Sequence, residues 1–248
     1  DISGEPDTID IKAVKKALEN NGLAAFCING NYMEESRVFC HSDETMRKKA
    51  IEYGKKCVDM AAELGSKNFL IVPSKVNGNK FYVSKQDDWK RSVESICEVA
   101  QYALDKNVTI LIECVNKYEV TLVRSLEDGI NMAKQTGLDN VRIIGDTFHM
   151  NLEEEIGIHN AIRRAGSEWL RHLHLGDSTR EVPGNGCINW REILIALNDI
   201  GYDGALSFEP LPKRLTLEEI FAGALEPSEL SRQLESSLNY LKSIMQWI

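Results

Sequence analysis

The chain has 248 residues, 43% hydrophobic and 27% charged, with a formal net charge of −9. That length holds one large α/β domain or two small ones, and the acidic balance excludes a nucleic-acid backbone as the main partner. No stretch approaches the ~20 uninterrupted apolar residues of a membrane span, so no membrane partner is expected. Six cysteines (Cys27, Cys40, Cys57, Cys97, Cys114 and Cys187) stand without a CxxC pair. They read as free, buried thiols of a cytoplasmic protein rather than a disulfide framework.

In chain order, Asp1-Ile2-Ser3-Gly4 reads as the end of a strand. Thr8 to Asn21 is a helix with Ile11, Val14 and Leu18 on one stripe, stopped at Asn21-Gly22. Leu23 to Ile28 is a short apolar strand, Glu44 to Leu64 a long helix ending at Gly65, and Asn68 to Val72 a strand stopped by Pro73. Ser74 to Ser84 carries the turn chemistry of Asn77-Gly78-Asn79, and its Lys75 and Lys80, with Lys85, read as a solvated loop. A helix over Asp87 to Lys106 precedes the strand Val108 to Ile112. Helices then fill Ser125 to Thr136, Glu153 to Ala165, Asn189 to Ile200 and Ser228 to Met245, with strands at Val141 to Gly145, Leu170 to Leu173 and Gly204 to Phe208 between them.

Strands that are almost continuously apolar, each followed by a helix, are parallel and buried on both faces. Four of them end in a charge or an imidazole: Glu113, Asp146, His174 and Glu209. An open sheet binds its ligand at one switch point, whereas a closed (β/α)₈ TIM barrel lets successive strand ends converge on one centre. The expected fold is therefore a TIM barrel formed as a single domain over residues 1–248. Six full strand-helix units are visible, so the first strand, first helix and most of the second strand are expected upstream of residue 1.

Three carboxylates and one imidazole suit Mn²⁺, and also Mg²⁺ or Co²⁺; Zn²⁺ fits less well, because it favours His and Cys over carboxylates. His172 shares strand parity with His174, but His174 lies nearer the C-terminal end and is the preferred ligand. His41 and His159 read as surface residues. Cys114 follows Glu113 on the strand and should face the other way.

These segments resemble the xylose isomerase-like TIM-barrel superfamily, and most closely its ketose 3-epimerases of the D-tagatose and D-psicose type. The resemblance rests on Glu113 with Asn116 and Glu119, on Asp146-Thr147-Phe148-His149-Met150-Asn151, on His174 with Arg180 and Pro183-Gly184, and on Glu209. It implies that Glu113, Asp146, His174 and Glu209 bind the metal. It further implies that His149 and Arg180 hold sugar oxygens near the reacting carbons and that Glu119 contacts a terminal hydroxyl. The implied reaction is epimerisation of a ketose at C3 through a metal-stabilised cis-enediolate, with Glu113 and Glu209 as the acid/base pair. Neighbouring readings are a hydroxypyruvate- or inosose-type isomerase, an inosose dehydratase, and a sugar-phosphate 3-epimerase. The expected partner is a small sugar, and the enzyme is expected to be a dimer or tetramer.

Overall fold

The computed structural model describes residues 1–211, 219 and 226–248, in two units, Asp1–Ile144 and Gly145–Ile248. In the first unit five parallel strands lie side by side in chain order: β1 (Ile2–Gly4), β2 (Cys27–Gly30), β3 (Asn68–Ile71), β4 (Thr109–Glu113) and β5 (Val141–Asp146). The last two residues of β5 open the second unit. β3 is buried along its whole length and β4 at all but its first residue, as expected of parallel strands covered on both faces.

Helices α1 (Ile11–Asn20), α2 (Glu44–Leu64), α3 (Lys85–Leu104) and α4 (Leu126–Thr136) join these strands. Their starts follow from capping side chains that satisfy the first free N–H groups. The Asp43 carboxylate accepts from Thr45 N at 2.7 Å, and Ser125 and Asp128 form a reciprocal capping box. Gly65 ends α2 in the left-handed conformation at φ 72°. Gly54 permits the close crossing of α2 and α3, since a Cβ there would lie 2.9 Å from the Val99 side chain.

Within the second unit, α5 (Thr147–Glu153) and α6 (Ile158–Trp169) lead to β6 (Leu170–Leu175). α7 (Trp190–Asp199), β7 (Ala205–Phe208) and α8 (Pro227–Met245) follow. β6 and β7 are parallel, with His174 opposite Ser207. The single helix expected over Glu153 to Ala165 is two helices. The Asp146 carboxylate starts a helix at once by accepting from Phe148 N and His149 N, and Gly157, at φ 80°, separates it from the next. α8 buries Ser237 and Leu241 and is tied to the loop between β6 and α7 by a 2.8 Å bond from Ser237 Oγ to Pro183 O. No described helix is long and apolar enough to cross a membrane.

Candidate metal centre

In parallel α/β folds the C-terminal strand ends gather functional groups because the loops there are free to vary. In the second unit three such ends bring Asp146, His174 and Glu209 together. Asp146 ends β5, His174 is the fifth residue of β6, and Glu209 follows β7 directly, its backbone N donating to Leu175 O at 3.1 Å. Thr147 fixes two of these elements to each other: its hydroxyl donates to Gly176 O at 2.7 Å and accepts from Gly176 N at 3.0 Å.

His174 Nδ1 lies 3.0 Å from Glu209 Oε2. Arg180 spans the two acids, with Nη1 2.7 Å from Asp146 Oδ2 and Nη2 2.9 Å from Glu209 Oε2. Its guanidinium lies over the Phe148 ring, 4.9 Å from the centroid, in cation–π geometry. His149 is buried on the first turn of α5, on which Asp146 is also the cap.

This environment drives the two carboxyls apart. Burial of Asp146 opposes ionisation, but the charge of Arg180, with His149, a hydrogen bond involving Glu209, and His174, overcomes it and holds the pKa well below the usual carboxylate range. Glu209 keeps 41% of its side chain exposed, but partial dehydration of its carboxyl outweighs the His174 contact, and repulsion from Asp146 adds to it, so this pKa is raised. A carboxylate pair split in this way provides one fixed anion and one group able to carry a proton.

Asp146, His174 and Glu209 each offer a ligand atom, all within 4.8 Å of one another, so the cluster is able to hold a metal ion. Two carboxylates and an imidazole fit a hard-to-borderline divalent cation. His172 is placed differently. Its Nδ1 meets the backbone oxygen of Ala205 at 3.1 Å, and its ring packs edge-on against His174 with centroids 4.8 Å apart.

In the first unit Glu113 ends β4, buried, in register with Ile144 on β5. Cys114 faces away from it toward α4, where a Cβ on Gly129 would meet its sulfur at 2.8 Å. Four of the six free cysteines are buried, Cys97 is intermediate and Cys187 is exposed, so burial of the thiols holds in the main. Glu119 lies in the loop after β4 and accepts from Asn116 Nδ2 at 2.8 Å.

Lys80 and Lys85 are exposed, as expected of a solvated segment, but Lys75 pairs with Glu35 at 2.5 Å, and Glu35 also receives the Tyr82 hydroxyl. His41 is only partly at the surface: its side chain is 14% exposed, its ring lies tilted at 45° against Tyr82 and it is 3.4 Å from Glu35. Sequence reasoning also gave no role to Phe148 or Asp177. Phe148 is the platform under Arg180. Asp177, fully buried, accepts three hydrogen bonds from backbone N–H groups of its own loop and one from the indole of Trp190 at the start of α7. The one available sign was that the apolar run of β6 continues past His174 and ends in Gly176-Asp177.

A family model described as a xylose isomerase-like TIM barrel matches residues 2–243. The chain belongs to that family. The barrel-type fold expected from the strand pattern is thereby borne out. Within this TIM-barrel family, the D-psicose 3-epimerase of Ruminiclostridium cellulolyticum is 37% identical over 171 residues, 66% of this chain and 58% of that protein. The match thus spans less than two thirds of that relative's length. The L-ribulose 3-epimerase of Mesorhizobium japonicum is 29% identical over 217 residues, 87% of this chain and 71% of that one. The crystal structure of D-psicose 3-epimerase with D-tagatose, from Clostridium cellulolyticum H10, matches with a TM-score of 0.87 at 30% identity, covering 98% of this chain and 87% of that one. These relatives are isomerase-class enzymes acting on sugars.

Proposed function

We propose that this chain is a metal-dependent isomerase that epimerises an unphosphorylated ketose at C3. The observation that carries the reading is the convergence of Asp146, His174 and Glu209 at strand ends, with Arg180 spanning the two acids. The names of the relatives support a ketose as substrate.

In this reading Glu113 is the fourth ligand. It is supported by its strand-end position opposite Ile144, two residues before Asp146 on β5. A bound divalent cation, Mn²⁺ in our reading, would polarise the substrate carbonyl and stabilise the enediolate left when the C3 proton departs. Asp146 stays ionised throughout, as its lowered pKa favours. Glu209, holding the metal through one carboxylate oxygen, would use the other to take up and release a proton, and Glu113 serves the opposite face as its partner. Arg180 and His149 donate to the oxygens that gain charge, and Glu119 binds the far hydroxyl. The sequence carries no glycine-rich phosphate cradle, which favours an unphosphorylated sugar over a sugar phosphate.

The test is incubation with Mn²⁺ and a panel of five- and six-carbon ketoses, with product sugars separated by chromatography. Formation of the C3 epimer from at least one ketose, lost in Glu209→Gln, is expected. Conversion to an aldose, or loss of water, would replace the epimerase by the isomerase or dehydratase reading.

A further inference from the structure

Arg180 has a backbone that few non-glycine residues adopt, with φ at 62°. What holds it there is Asp177. The carboxylate is fully buried, and its bonding partners are neutral N–H groups from across the loop. Oδ1 accepts from Ser178 N at 2.7 Å and Ile188 N at 3.1 Å. Oδ2 accepts from Gly184 N at 2.8 Å and the Trp190 indole at 2.7 Å. The backbone adds a tight turn, because Arg180 N donates to Asp177 O at 2.8 Å and Asp177 N to Glu181 O at 2.8 Å. Arg180 O in turn accepts from Leu211 N at 2.7 Å. Gly186 allows the loop to close on the carboxylate, since a Cβ there would lie 2.0 Å from Oδ1.

A buried carboxylate is an expensive way to fill space, since an apolar side chain would avoid its desolvation. It gathers donors from positions 178, 184, 188 and 190 around one point, which fixes the shape of the loop that presents Arg180. We propose that Asp177 is a positioning residue for the reaction: it holds the Arg180 guanidinium across Asp146 and Glu209 without touching substrate. The kinetic consequence rests on the function proposed above; the geometric one does not.

The test variant is Asp177→Asn. It keeps the shape but turns one oxygen into a donor that faces N–H groups, which removes at least one pair of bonds. The first readout is the Arg180 side-chain Nε–H resonance in metal-free protein, assigned by its loss in Arg180→Lys. We expect it to shift and to exchange with water about tenfold faster, as an arginine freed from a buried pair does. An unchanged resonance overturns the proposal whether or not any sugar is turned over.

The second readout is a kinetic cycle. Asp177→Asn should lower kcat about tenfold or more, change KM by no more than about threefold, and add less than about twofold in an Arg180→Lys background. An equal loss in both backgrounds would mean that Asp177 does not act through Arg180, and would overturn the proposal. Trp190→Phe, which deletes one donor and keeps an aromatic ring, gives the same two readouts if Asp177→Asn does not fold. A wild-type protein inactive on every ketose would remove the proposed function and leave the resonance test to decide this one.

Discussion

Replacing Arg180 by methionine keeps the aliphatic stem and removes the charge between Asp146 and Glu209. Asp146 has no exposure and the Arg180 side chain is 15% exposed, so the pair is a buried one. Removing one partner of such a pair costs about 3–5 kcal/mol. The 41% exposure of the Glu209 side chain discounts the second bond, which places the loss near the lower end, about 3 kcal/mol. For a chain of this size about 2–4 °C is lost per kcal/mol, so Tm should fall by ~6–12 °C at pH 7 in EDTA. The pH dependence has a definite sign. The folded pKa of Asp146 is lowered, so its contribution is present above the unfolded value of about 3.9 and is lost as pH falls toward the folded one. The gap between wild type and Arg180→Met should therefore narrow below about pH 4. Calorimetry across this range is the assay. A Tm loss under about 2 °C at neutral pH, or a gap unchanged in acid, would refute the reasoning.

Saturating Mn²⁺, at about 100 times its Kd, should stabilise the protein by ~2.7 kcal/mol, and Asp146→Asn should abolish most of that gain in a thermal shift assay. Glu113→Gln and Glu209→Gln should each lower kcat by about 10²–10⁴ while the circular dichroism spectrum is retained; full activity in either removes that residue from proton transfer. Burial pushes the thiols of Cys40 and Cys57 up to about 12. Their folded pKa values are raised, so the stability they confer is complete below the unfolded value of about 8.5 and is lost as pH rises above it, by ~1.4 kcal/mol per unit for each thiol. At pH 8.5 iodoacetamide should therefore label Cys187 and spare Cys40 and Cys57, as peptide mass mapping would show.

The strand ends were legible because four successive apolar runs each give way to a charge or an imidazole where the chain leaves the sheet. α2 was readable to the residue, since Asp43 and Gly65 are strong start and stop signals. α5 was missed because Asp146 serves twice, closing β5 and capping the helix that begins at the next residue. The short helix has no apolar period long enough to announce itself. Arg180 was named on resemblance alone. The structure gives Arg180 to Asp146 and Glu209, and Asp177 to three backbone N–H groups and the Trp190 indole. Local spacing could not reveal this, because the partners lie 34 and 29 residues away along the chain. His41 was misread for a similar reason, as it is partly covered by Glu35 and by Tyr82, which lies 41 residues further along the chain.

The most direct measurement of the central proposal is solvent isotope exchange. The protein is incubated with Mn²⁺ and each ketose of the panel in D₂O, and the recovered sugar is read by NMR. Deuterium at C3, in both the starting ketose and its epimer, is the predicted result. Deuterium at C1 alone, or no exchange from any ketose by a protein that binds Mn²⁺, would contradict it.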